Sequence, residues 1–106
     1  MITAKDLAAE EKLRLICGQD TWHTVDLGGK ISQLTVSDGP VGLRKSEYEN
    51  GVWKRTIPSV AYPSIQNLAN TWSRESAKEM GGALADDCLD ADVDILLDPG
   101  INIKPI

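Results

Sequence analysis

Basic side chains are in short supply in this chain of 106 residues: eleven Lys and Arg stand against sixteen Asp and Glu, a net charge of −5. A polyanion would be repelled rather than drawn in by counterion release, so nucleic acid is disfavoured as a partner. Only two cysteines occur, Cys17 and Cys88, far apart and without Cys-x-x-Cys spacing. Each falls on the apolar side of a helical pattern, so buried reduced thiols are expected in preference to a disulfide. The single histidine, His23, excludes a histidine-rich metal site and reads as a hydrogen-bonded loop residue rather than a catalyst. No stretch approaches the ~20 apolar residues of a membrane span, and Met1–Asp6 offers no signal-peptide core. A cytosolic protein with no membrane partner is therefore expected. Gly-x-Ser-x-Gly, the phosphate-binding Gly-Lys-Ser/Thr loop and Gly-x-Gly-x-x-Gly are all missing, which leaves a nucleophilic triad or a nucleotide loop without support. Internal repeats and low-complexity tracts are absent too. The length suits one small domain and falls far short of the about 250 residues of a whole (β/α)8 barrel.

What is present is the composition of an ordinary globular protein, 42% hydrophobic and 25% charged. Thr3 and Asp6 form a capping pattern, and Ala9, Leu13, Ile16 and Cys17 recur at helical spacing before Gly18, which predicts an amphipathic helix over residues 4–17. Gly28-Gly29 predicts a turn. Residues 31–36 read as a short strand, followed by the loop Ser37-Asp38-Gly39-Pro40-Val41-Gly42-Leu43-Arg44. Residues 45–56 read as a flap or small hairpin around Asn50-Gly51, and residues 59–62, between Pro58 and Pro63, as extended or irregular.

A second helix, capped by Ser73, carries Ala77, Met80, Gly81, Leu84, Ala85 and Cys88 on one stripe, with Gly81 suggesting close approach to a sheet. A strand over Val93–Leu97 follows. Strand, helix and strand in this order predict a parallel βαβ unit and the α/β class.

Six aspartates, Asp86, Asp87, Asp90, Asp92, Asp94 and Asp98, suggest calcium. An EF-hand loop from Asp90, however, would put Ile95 and Ile101 where Gly and Glu are required. A solvated acidic edge is the reading that remains. Asp38 is the candidate of more interest, because a carboxylate beside a strand end and a Gly-Pro turn can accept hydrogen bonds from a ligand's hydroxyl groups. It can equally organise the turn through its own backbone.

The loop Ser37–Arg44 resembles the Ser-Asp-Gly-Pro-x-Gly-Leu-Arg segment of glycoside hydrolase family 3 β-glucosidases. Gly18-Gln19-Asp20-Thr21-Trp22-His23-Thr24, Tyr62-Pro63-Ser64, Leu68-Ala69-Asn70-Thr71-Trp72-Ser73-Arg74-Glu75 and Val93–Lys104 are similar to further segments of that family, in the same order. The resemblance covers essentially all 106 residues. It implies a retaining, exo-acting β-glucosidase in which one carboxylate attacks the anomeric carbon while a second, about 5–5.5 Å away, serves as acid and base.

It further implies that residues 1–106 are the amino-terminal part of a (β/α)8 TIM-like barrel, incomplete and cut before both catalytic residues. The expected partners are then a β-glucoside or oligosaccharide substrate, the remainder of the barrel and a following domain, with no metal and no cofactor. Asp38 matches a family residue that binds sugar hydroxyls, and Arg44 a frequent family residue whose simpler role is a loop-bracing ion pair. Two departures stand out: Asp98 replaces a usual Gly, with strain expected in a turn of positive φ, and Pro105 replaces a usual Arg. A non-catalytic complementation or binding module, or a decayed gene product, are the alternative readings.

Overall fold

In the computed structural model, which describes residues 2–100, helix formation begins in two steps rather than one. Thr3 caps a 3₁₀ turn over Ala4–Asp6, and the Asp6 carboxylate accepts from the Thr3 N–H at 2.8 Å, the reciprocal arrangement its sequence suggests. At Leu7 the backbone turns extended, and α1 (Ala9–Cys17) starts afresh with the Glu11 carboxylate accepting from the Ala8 N–H at 2.8 Å. The helix expected over 4–17 is therefore split. The break lets Leu7, 8% exposed, enter a cluster with Val25 and Leu27, a burial of the kind worth about 2 kcal/mol.

The split also changes the inward face of α1. Leu15 packs on that cluster, whereas Leu13 and Ile16 are 63% and 82% exposed and Cys17 is exposed as well. On α1 the partly covered residues are Glu11 and Leu15, four apart on one face, so the expected stripe and the buried Cys17 are corrected. Gly18, at φ +74, ends α1 as expected, its N–H donating to the Arg14 carbonyl at 3.1 Å. Asp26 accepts from the Gly28 N–H at 2.6 Å and leads into the Gly28-Gly29 turn. The strand expected over 31–36 is reduced to a single bridge between His23 and Thr35, and regular pairing begins only with β1 (Val36–Asp38).

The chain forms two units, one ending at Val36 and one beginning at Ser37. In the second, β1 pairs with β4 (Ile95–Leu97) in a two-stranded sheet. The excursion is a hairpin: β2 (Ser46–Glu49) runs antiparallel to β3 (Val52–Thr56). Asn50 and Gly51, at φ +53 and +79, make the tight turn that the dipeptide predicts. Residues 57–64 hold no regular element, as expected for the segment around Pro58 and Pro63.

Capped by Ser64, α2 (Ile65–Asn70) was not legible in the pattern, since six residues are too few to display a period. α3 (Arg74–Asp90) starts where Ser73 accepts from the Ser76 N–H at 3.1 Å. It buries Met80, Leu84 and Cys88, the core of the expected stripe. Gly81 is a correction: a Cβ there would meet nothing within 4 Å, so no sheet of the described residues approaches it. Leu43, Cys88 and Val93 form the core of this unit, with Ala91 and Leu96 against it. The described residues thus make a small α/β protein with four short strands and three helices.

Candidate functional site

Asp38 closes β1 and is half-buried, and the chain returns to it six residues later. Its carbonyl accepts from the Arg44 N–H at 2.8 Å, and the two residues form an antiparallel bridge. The structure therefore brings both predicted site residues together. It does so through the backbone: among the described residues Arg44 makes no ion pair, so the bracing ion pair expected of it is corrected to a main-chain brace. Nor does the Asp38 carboxylate organise the turn, because it has no hydrogen-bond or ion-pair partner among the described residues. What remains is a carboxylate and a guanidinium held at the two ends of one tight loop, an acceptor and a donor set of the kind that recognises hydroxyl groups.

Two glycines allow this loop to close. Gly39 is buried, and a Cβ on it would lie 2.7 Å from the Gly42 carbonyl oxygen and 2.8 Å from Leu96 Cδ1. Gly42 has φ +130, and a Cβ there would overlap the Val60 carbonyl oxygen.

Around the loop runs a set of braces that the motifs did not reveal. The Tyr62 N–H donates to the Val41 carbonyl at 2.8 Å, and Ser59 Oγ donates to the Leu43 carbonyl at 2.5 Å. Lys45 Nζ donates to the Ala91 carbonyl at 2.5 Å, placing a cation at the C-terminus of α3, where the helix dipole favours it. Tyr62 Oη donates to Asp87 Oδ2 at 2.9 Å, and this hydrogen bond holds the phenol above its ordinary pKa. Ser37, 1% exposed, is the most buried polar residue of the loop. No sequence signal distinguished Lys45 or Ser59, since each lies in an unpatterned polar stretch and finds its partner far along the chain.

His23 behaves as the loop residue expected of it. Its Nδ1 lies 2.9 Å from both carboxylate oxygens of Asp20, which also accepts from the Trp22 N–H at 2.7 Å. The Trp22 amide first, and His23 second, hold the Asp20 carboxyl below its usual range. Cys88, buried in the core, has its thiol pushed up by that burial and is correspondingly unreactive. Among the described residues no group of three or more His, Cys, Asp or Glu could hold a metal ion.

Asp98 departs from expectation in a different way. Its φ is not positive, so the expected turn strain is absent. Instead its Oδ1 is buried without a hydrogen-bond partner among the described residues, and burial raises its carboxyl pKa above 3.8. The penalty falls on the ionised form. Stability linked to Asp98 is thus complete below the unfolded pKa near 3.8 and is lost as pH rises through the higher folded value. Asp98→Asn is expected to stabilise the chain by about 1–2 kcal/mol at pH 7, with the gain shrinking toward pH 4. Urea midpoints of the two proteins at both pH values measure this, and an equal difference at each would refute it. Pro105, the other departure, lies outside the described residues.

No protein-family model matches the chain. Curated proteins do. A "Thermostable beta-glucosidase B" from Acetivibrio thermocellus is 39% identical over 104 residues, 94% of this chain and 14% of that protein. An "Exo-alpha-(1->6)-L-arabinopyranosidase" from Bifidobacterium longum is 35% identical over 106 residues, 96% of this chain and 14% of that protein. "Beta-glucosidase B" from Emericella nidulans is 35% identical over 98 residues, 92% of this chain and 11% of that protein. The chain thus spans about a seventh or less of the length of these relatives.

Proposed function

Because this chain is homologous over nearly its whole length to one segment of β-glucosidases and arabinopyranosidases, we propose that it is the amino-terminal part of a family 3 glycoside hydrolase barrel. In this reading the complete protein removes terminal non-reducing β-D-glucosyl residues with retention of configuration. The observation that carries it is coverage of 92–96% of the chain by glycosidases at 35–39% identity. The conserved chemistry of such enzymes needs two carboxylates flanking the scissile bond. Within this chain the resemblance assigns neither, and the contribution of these residues is recognition.

Asp38 accepts hydrogen bonds from hydroxyls of the terminal sugar, and Arg44, across the loop mouth, donates to it. A charged acceptor for two hydroxyls also disfavours analogues that lack them, since the carboxylate would then be desolvated and unpaired. The arabinopyranosidase relative broadens the sugar class to pyranosides, so both substrate types belong in the test.

The experiment is a segment exchange. The matching stretch of the Acetivibrio relative is replaced by this chain, and the chimera is assayed with aryl β-D-glucoside and aryl α-L-arabinopyranoside. Measurable β-glucoside turnover by the chimera, and none by the 106-residue chain alone, is the expected result. A chimera that unfolds cooperatively yet hydrolyses neither substrate would refute the proposal. Turnover by the isolated chain would refute the assignment of the chemistry to other segments.

A further inference from the structure

We propose that Asn50, at the tip of the β2–β3 hairpin, is a self-modification site: the Gly51 backbone nitrogen displaces its amide, and the isoaspartyl product dissolves the hairpin while the aspartyl product keeps it. The site lies outside the sugar-binding reading and stands without it.

The reaction needs a side-chain carboxamide next to a backbone nitrogen that is uncrowded and unengaged. Gly51 meets both conditions. It has no side chain, a Cβ in its place would meet nothing within 4 Å, and its N–H makes no hydrogen bond among the described residues. The other asparagines differ. Leu68, which follows Asn67, donates its N–H to the Ser64 carbonyl at 3.0 Å, and Thr71, which follows Asn70, donates to the Leu68 carbonyl at 3.1 Å. Asn102 precedes the β-branched Ile103, whose side chain crowds the attacking nitrogen. The tip can also rearrange to close a ring, because β2 and β3 form a two-stranded sheet of their own and every residue of β3 is exposed. So small a ribbon opens readily.

In the first step the Gly51 nitrogen, its proton taken by hydroxide, bonds to Asn50 Cγ. The carboxamide C–N bond breaks, and ammonia leaves after taking a proton from water, so a succinimide is closed and hydroxide is returned. Water then opens the ring. Cleavage between the nitrogen and Cγ gives aspartate, and cleavage between the nitrogen and the main-chain carbonyl carbon gives isoaspartate.

The two products meet the turn differently. Asn50 and Gly51 hold φ +53 and +79, a left-handed pair that aspartate followed by glycine also adopts. Aspartate therefore preserves the pairing of Glu49 with Val52 and of Tyr48 with Trp53. Isoaspartate instead routes the main chain through Cβ and Cγ, which adds a methylene to a turn of fixed length. The Glu49–Val52 pair then cannot close in register, and the Glu49–Lys54 ion pair, 3.0 Å long, is released with it.

The test incubates the 106-residue chain in neutral buffer and follows it by peptide mass mapping and by NMR contacts between cross-strand partners. Asn50 is expected to lose its amide about tenfold faster than Asn67 or Asn70. The Tyr48–Trp53 contacts should vanish in the purified isoaspartyl form and persist in Asn50→Asp. In Asn50→Gly, which has no amide to lose at this position, they should persist throughout the incubation. An Asn50 that reacts no faster than Asn67 or Asn70 overturns the site. Contacts that survive in the isoaspartyl form, that fade equally in Asn50→Gly, or that are missing from the fresh chain overturn the link between the modification and the hairpin.

Discussion

Gly42→Ala is expected to lower the stability of the chain by about 3 kcal/mol, the largest loss among its glycine positions. Two costs coincide there. At φ +130 an L-residue occupies backbone space reserved almost wholly for glycine, a strain of roughly 1–3 kcal/mol. The added methyl would also overlap the Val60 carbonyl oxygen, which belongs to a segment held by Ser59 and Tyr62 and has little room to retreat. A small protein has only about 5–10 kcal/mol in hand, so this change should lower the urea midpoint steeply at unchanged slope.

Two other glycines calibrate the result. Gly51→Ala meets a positive φ of +79 but open space and should cost about 1 kcal/mol. Gly81→Ala lies inside α3 with nothing within 4 Å and should stabilise by up to about 1 kcal/mol. A Gly42→Ala protein no weaker than Gly51→Ala would refute the close approach of the site loop to Val60.

Asp38→Ala in the active chimera is expected to reduce kcat/KM for the aryl glucoside about a hundredfold or more. A hydrogen bond to a charged group contributes roughly 1.5–3 kcal/mol, and a carboxylate that accepts from two hydroxyls supplies two such bonds. Their loss should appear in both kcat and KM, because the ring is then bound less tightly and less well oriented. Stability, in contrast, should stay within about 0.5 kcal/mol, since the side chain is half-exposed and has no partner to lose among the described residues. Kinetics that do not change would take Asp38 out of the site. A parallel loss of stability and activity would mean that it serves the loop and not the sugar.

The contrast between these two residues shows how much was legible beforehand. Asp38 was visible as a candidate because a carboxylate beside a strand end and a Gly-Pro turn can accept from a ligand's hydroxyls, although its position served a turn-organising role equally well. Arg44 was visible only as its companion in the same motif, and its main-chain bridge to Asp38 could not be read from spacing. The role of Gly42 depends on Val60, eighteen residues on, and nothing in the intervening hairpin announces the contact. Asp98 was flagged for its backbone, yet its consequence lies in a buried oxygen.

Local chemistry fixes those features that neighbouring residues can settle among themselves. The Thr3–Asp6 cap, the Gly18 stop, the Asn50-Gly51 hairpin turn and the Met80–Leu84–Cys88 stripe of α3 were all legible. Each is settled by residues within about two helical turns of one another. The collinear motifs likewise carried the resemblance to glycosidases without any coordinates. Long-range packing, in contrast, makes Leu7 break the first helix, turns Leu15 rather than Leu13 or Ile16 inward, and leaves Cys17 exposed. The same holds for the braces from Ser59, Tyr62 and Lys45 that hold the Asp38 loop. In each case the outcome turns on which distant residue supplies the covering surface or the missing hydrogen-bond partner, and periodicity along the chain carries no record of that choice.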